Sequence, residues 1–203
     1  KPLLLNSQFQ NVKKTAIDSL KKENENPFNM AFEKWRKLVY FKHHYAYNPF
    51  GYEEDILKIT HDDIISEYEN FKNRNKYIIS NNLIHNSKNI ELINKNICET
   101  KYKSIKQDRK NINRFVSTHR ESNQVILMIG NQTCPLSSYE YFPLKILESH
   151  LSYGMSSVLF KLFREKNGIT YDIGVFHPIR KQNSPFLIYL SVSNSNAILA
   201  FEI

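Results

Sequence analysis

Residues 154–176 read GMSSVLFKLFREKNGITYDIGVF, and two periodicities meet inside them. Over 156–166 the apolar residues Leu159, Leu162 and Phe163, with Met155 ahead of them, recur at helical spacing. From Ile169 the pattern alternates. Ile169, Tyr171, Ile173 and Val175 are expected on one face of a strand, and Thr170, Asp172, Gly174 and Phe176 on the other. Gly168 stands between them and suits a reversal, because glycine adopts the left-handed backbone that ends helices.

Working outward, 185–193 alternates again, with Phe186, Ile188, Leu190 and Val192 set against Leu187, Tyr189 and Ser191. The stretch 178–184 supplies a turn, so the two strands are expected to pair as a hairpin. Residues 194–203 open a helix. Upstream, QVILMIG at 124–130 reads as a buried strand, and 138–151 as a helix. Ser156 is the expected N-cap of the helix that follows. The order is strand, two helices, two strands, helix. It predicts an α+β fold in which helices pack on one face of a largely antiparallel sheet.

The first half reads as helices. Phe9, Val12, Ala16 and Leu20 form a stripe over 6–22, with Ile17 beside it. The polar cluster 23–26 and Pro27 end that helix. Phe28, Ala31, Phe32, Trp35, Leu38 and Val39 mark a second helix. A loop over 43–51 contains Pro49 and Gly51, and a short helix carries Glu53, Ile56 and Leu57. Thr60 with Asp63 three residues later predicts a capped helix start, and that helix runs to about residue 70. Residues 76–80 read as a short strand and 89–97 as one more helix. The polar stretch 99–113 lacks apolar periodicity and reads as a linker. The resulting division is a first domain over 1–97, a linker over 98–112 and an incomplete second domain over 113–203.

Composition limits the functional classes. With 41% hydrophobic residues, 13% of all residues being aromatic, the chain can bury a core and is not a disordered protein. The net charge of +8 permits anionic partners, but the lysines are scattered. Only 101–114 is dense in them, and a basic patch without a reading element is usually a solvated face. Nucleic acid is therefore not the expected partner. No apolar run approaches the roughly 20 residues of a membrane span. Cys98 and Cys134 have no metal-ligand spacing and read as reduced thiols, which favours the cytoplasm. The chain starts without Met and stops inside an expected helix, so both ends are expected to be cut.

The segment 154–176 closely resembles the second-domain signature of the insulinase-like (pitrilysin-type) zinc metallopeptidases. That signature is a glycine, small residues, Arg-Leu-Phe, then Arg-Glu-Lys-x-Gly-Leu-Ala-Tyr and a strand. Val158 departs from it where the family often has Arg, and Ile169-Thr170 where it has Leu-Ala. Residues 43–59, HHYAYNPFGYEEDILKI, resemble the family's His-Pro-Tyr-Gly…Gly-x-x-Glu segment. The resemblance implies repeated sheet-plus-helix domains in two halves that close around an extended peptide. It also implies zinc in one half, held by an inverted His-x-x-Glu-His motif and a distant Glu.

That motif does not occur here. The histidines are His43, His44, His61, His85, His119, His150 and His177, and no two stand four apart to share a helix face around one metal. Where the family's third zinc ligand would fall on the first helix, this chain has Asp18 and Ser19. No catalytic residue and no metal ligand are assigned, and zinc is expected only in the catalytic half of the complete enzyme. The resemblance makes Arg164 and Tyr171 the substrate-binding candidates. A guanidinium and a phenol both donate to a peptide carbonyl or an oxyanion. A last-turn Arg also complements a helix dipole, and a strand Tyr also packs. The expected role is the non-catalytic, peptide-holding half or subunit, with a peptide and a second peptidase half as partners. The alternative is a degenerate homologue that scaffolds a complex.

Overall fold

The computed structural model describes residues 3–74, 115–119 and 121–203. The strand expected at 76–80, the helix at 89–97, the linker at 98–112 and Cys98 lie outside the described residues. Two compact units form. One takes Lys1–Leu20 with Phe50–Asp108, the other Lys21–Pro49 with Arg109–Ile203.

The helices of the first unit are α1 (Asn6–Glu25) as far as Leu20, α3 (Glu53–Lys58) and α4 (His61–Asn73). Lys13 on α1 donates from Nζ to the carbonyls of Leu57 (2.6 Å) and Ile59 (2.8 Å). It thereby satisfies acceptors that the end of a helix leaves open. The covered side of α1 holds Phe9, Lys13, Ile17 and the buried Leu20, and Val12 is 66% exposed. Of the expected stripe, Phe9 and Leu20 are therefore covered, with Ile17 beside them, while Val12 and Ala16 face solvent. Three acidic residues, Glu53, Glu54 and Asp55, open α3 and match the positive end of its dipole. At α4 the capping box is complete. Thr60 Oγ1 accepts the Asp63 N–H at 3.2 Å, and the Asp63 carboxylate accepts the Thr60 N–H at 2.8 Å.

In the second unit, α2 (Pro27–Tyr40) starts at Asn26, whose side chain accepts the Phe28 N–H at 2.9 Å. Pro27 at the first helical position has no N–H to leave unpaired. The sheet has three antiparallel strands in the order β1 (Gln124–Gln132), β3 (Pro185–Ser193), β2 (Thr170–Phe176). The expected hairpin between β2 and β3 forms, and β3 is central. One face carries Leu190, Val192, Ile173 and Val175 and is covered by Leu159, Phe163, Leu151 of α5 (Tyr141–Ser152) and Ala200 of α6 (Ala197–Glu202). The other face carries Leu187, Met128 and Phe176 and receives Trp35 and Tyr40 of α2. Alternate residues of β3 are thus buried on both sides, with Leu187 fully enclosed and Leu190 and Val192 nearly so. Gly130 faces Leu187 across β1 and β3, and a Cβ there would meet the Leu187 Cα at 2.7 Å.

Candidate functional site

The segment 154–176 contains four departures from regular structure. Gly154 turns the chain at φ +77°, so Met155 falls before the helix and is 74% exposed instead of joining the apolar stripe. Helical residues begin at 158, so it is Ser157, not the expected Ser156, that stands just before them. The Ser157 hydroxyl is buried without a hydrogen-bond partner among the described residues. From Phe160 to Lys166 the helix is a π-helix. This wide turn carries one more residue than an α-turn and is often found at functional sites.

The reversal follows at Gly168, φ +61°. The Ile169 N–H donates to the Phe163 carbonyl at 3.0 Å, and the Asn167 side-chain amide donates to the Leu162 carbonyl at 2.8 Å. Both use carbonyls that the helix end leaves open. Phe163 and Ile169 are buried on either side of this turn.

β2 then begins with a bulge. Thr170 pairs with Val192 but Asp172 pairs with Ser191, so Tyr171 is the extra residue. Thr170 is buried and its hydroxyl lies 2.9 Å from the Asp172 carbonyl oxygen and 2.6 Å from that of Ser191, bracing the bulge. The bulge changes the expected alternation. Ile173 and Val175 remain on the covered face, whereas Tyr171 is lifted away and is 84% exposed. Gly174 gives room to Tyr189. A Cβ at 174 would lie 2.7 Å from the Tyr189 hydroxyl. Burial, followed by the charge of Asp172, raises the Tyr189 pKa above its ordinary value.

Arg164 and Tyr171 therefore stand on either side of one reversal, both exposed. The Arg164 guanidinium lies over the Phe160 ring, 5.2 Å from its centroid. Asp18 and Ser19 are exposed positions on α1. Among the described residues no three His, Cys, Asp or Glu side chains come together to hold a metal ion. The chain's described side chains thus do not fit a zinc centre. Among them, too, no helix is long and apolar enough to cross a membrane.

A polar junction was not evident from the spacing of the residues. His43, buried at the end of α2, meets the side chain of Gln182 in the β2–β3 loop. The sequence gives no pattern for such a pair, because its partners are far apart and the loop has no period.

A family model described as the peptidase M16 inactive domain matches residues 59–202. An uncharacterized zinc protease of Rickettsia felis is 22% identical over an alignment of 198 residues that covers 92% of this chain and 46% of that protein. The crystal structure of a peptidase M16 inactive domain from Pseudomonas fluorescens superposes with a TM-score of 0.75 at 19% identity, covering 99% of this chain and 51% of that one. The crystal structure of a protease from Helicobacter pylori gives 0.73 at 17% identity, covering 97% and 52%. The chain spans about half the length of these relatives. It belongs to the insulinase-like M16 metallopeptidase family, through that family's inactive domain.

Proposed function

We infer that this chain is the peptide-holding part of a non-catalytic M16 half. A second half or subunit carries the zinc and performs hydrolysis. The observation that supports this reading is the exposure of Arg164 and Tyr171 beside a reversal that is flanked by a π-helical turn and a β-bulge. Bulges re-aim side chains next to sites, and wide helical turns do the same. The guanidinium offers charged donors in a fixed plane, and the phenol offers one more. Together they suit the carbonyls of an extended peptide, whose backbone is the same whatever its sequence.

The test is binding of a fluorescein-labelled unstructured peptide by anisotropy, and turnover of the same peptide by the complete enzyme. Loss of a hydrogen bond to a charged donor weakens binding by about 10- to 100-fold, and that is the expected effect of Arg164→Ala. Tyr171→Phe is expected to have a smaller effect. If the double variant binds and turns over peptide as the wild type does, the peptide-holding role is lost and the scaffolding alternative stands.

A further inference from the structure

Around the end of α2, the 3₁₀ turn His44–Ala46 and the loop between β2 and β3, three hydrogen bonds join two distant parts of the chain. Tyr40 donates from Oη to the Asn183 carbonyl at 3.0 Å. The Gln182 N–H donates to Tyr45 Oη at 3.4 Å. The third is between His43 Nε2 and Gln182 Oε1. The geometry fixes the protonation of this imidazole. Its Nδ1 accepts the Tyr45 N–H at 3.1 Å and so carries no proton. The one proton of the neutral ring is therefore on Nε2, and Gln182 must present its oxygen. The opposite amide orientation would leave that proton no place.

We propose that His43 is an acid-sensitive latch, whose neutral imidazole fastens residues 43–47 to residues 180–183 and whose protonation opens that junction. A second proton can go only to Nδ1, where it would point at the Tyr45 N–H, donor against donor. His43 is 4% exposed, so solvent is poorly placed to relieve the conflict. The surroundings are also unsuited to a cation. Among the described residues, the titratable and charged groups facing His43 are Tyr40 from α2, with ring centroids 5.9 Å apart, His44 and Tyr45 from the turn, at 5.8 and 4.7 Å, and Arg180 from the loop. Arg180 is itself held over the Tyr45 ring, 4.3 Å from its centroid. None of these is a carboxylate. The carboxylate on α2, Glu33, is engaged by Arg36, Lys37 and Asn48.

Burial above all holds the His43 pKa below its ordinary value of 6.5; the Gln182 hydrogen bond opposes it, and His44 and Arg180 add to it. The sign follows from linkage. The unfolded chain takes up the proton first as the pH falls, so stability that is complete above about pH 6.5 is lost as the pH drops through the lower folded value.

The experiment is thermal unfolding of the full chain followed by the emission of Trp35, the single tryptophan, which is buried with its ring 6.4 Å from that of Tyr40. Wild type, His43→Gln and Gln182→Glu are compared at about pH 7.5 and about pH 5.5, either side of the free histidine value. The wild type is expected to lose about 2–4 °C more in Tm than His43→Gln over this interval, the size expected for one buried hydrogen bond in a chain this long. Gln182→Glu places a carboxylate against the imidazolium and is expected to shrink the acid step. Equal acid steps in wild type and His43→Gln overturn the proposal. If His43→Gln does not fold, an acid step in Gln182→Glu as large as the wild type's overturns it, and a smaller one supports it.

Discussion

Gly168 tests the reversal on which the candidate site depends. Its φ is +61°, and an added Cβ would meet nothing within 4 Å. The cost of Gly168→Ala is therefore conformational and owes nothing to crowding. An L-residue in the left-handed region costs about 1–2 kcal/mol. Alanine also restricts the unfolded chain, which offsets about 0.4–1 kcal/mol of this. The net loss is about 1 kcal/mol, or about 2–4 °C in Tm for a chain of this length. Gly168→Asn is expected to lose less than half as much, since asparagine tolerates this region through local hydrogen bonds. Urea unfolding at fixed pH measures both variants. The functional consequence runs in parallel. Alanine pulls φ away from positive values and strains the Ile169–Phe163 hydrogen bond, so peptide binding should weaken in Gly168→Ala and persist in Gly168→Asn. If alanine is as stable as glycine, residue 168 is not left-handed, and the turn that brings the Arg164 and Tyr171 segments together does not have this form.

Two further expectations concern the frame. Gly130→Ala drives a methyl into the backbone of β3, at Leu187 Cα and closer still to the Phe186 carbonyl oxygen, and should cost about 1–3 kcal/mol in a urea titration; a neutral result would contradict the β1–β3 register. The Asp63 carboxyl is held below its ordinary value of 3.8, first by the Thr60 hydroxyl and then by the Thr60 N–H. Its contribution is complete above about pH 3.8 and disappears as the pH falls through the lower folded value. Thr60→Ala should lower Tm by about 2–4 °C at neutral pH and flatten the acid limb of the curve, and an unchanged acid limb would show that the cap does not form in solution.

Much of the scaffold was legible because each element carries its own signal. The Thr60–Asp63 pair announces the start of α4, and the alternation of 185–193 announces a strand; that α2 fills its second face is seen only in the structure. On α1 the expected stripe holds at Phe9 and Leu20 but not at Val12 and Ala16. Apolar spacing does not register Lys13, which bonds the carbonyls closing α3 and lies on the covered side. Burial of the stem and use of the head are separate matters for such a side chain. Only the family resemblance points to Arg164 and Tyr171 as candidates. Periodicity alone put Tyr171 with Ile173 and Val175 on the covered face. The bulge, which no pattern of side chains declares, moves it out.

The consequence of the bulge can be worked from the register. Asp172 faces Ser191 and Ile173 faces Leu190, so a regular ladder would set Tyr171 opposite Val192. Val192 is 1% exposed and lies in the cluster with Leu159, Phe163 and Ala200. A tyrosine there would have to bury its hydroxyl in an apolar cluster. Instead the small Thr170 takes the place opposite Val192, with its one hydroxyl proton within reach of two backbone carbonyls, and the Tyr171 ring is left in solvent. The extra residue in the strand and the extra residue in each turn of the π-helix occur within the span 160–172, on both sides of one left-handed glycine. Irregularities concentrated at one turn are what the proposed peptide-holding role would use, because functional sites are where folds tend to give up local consistency. What these irregularities achieve is the exposure of one phenol and one guanidinium at the same reversal.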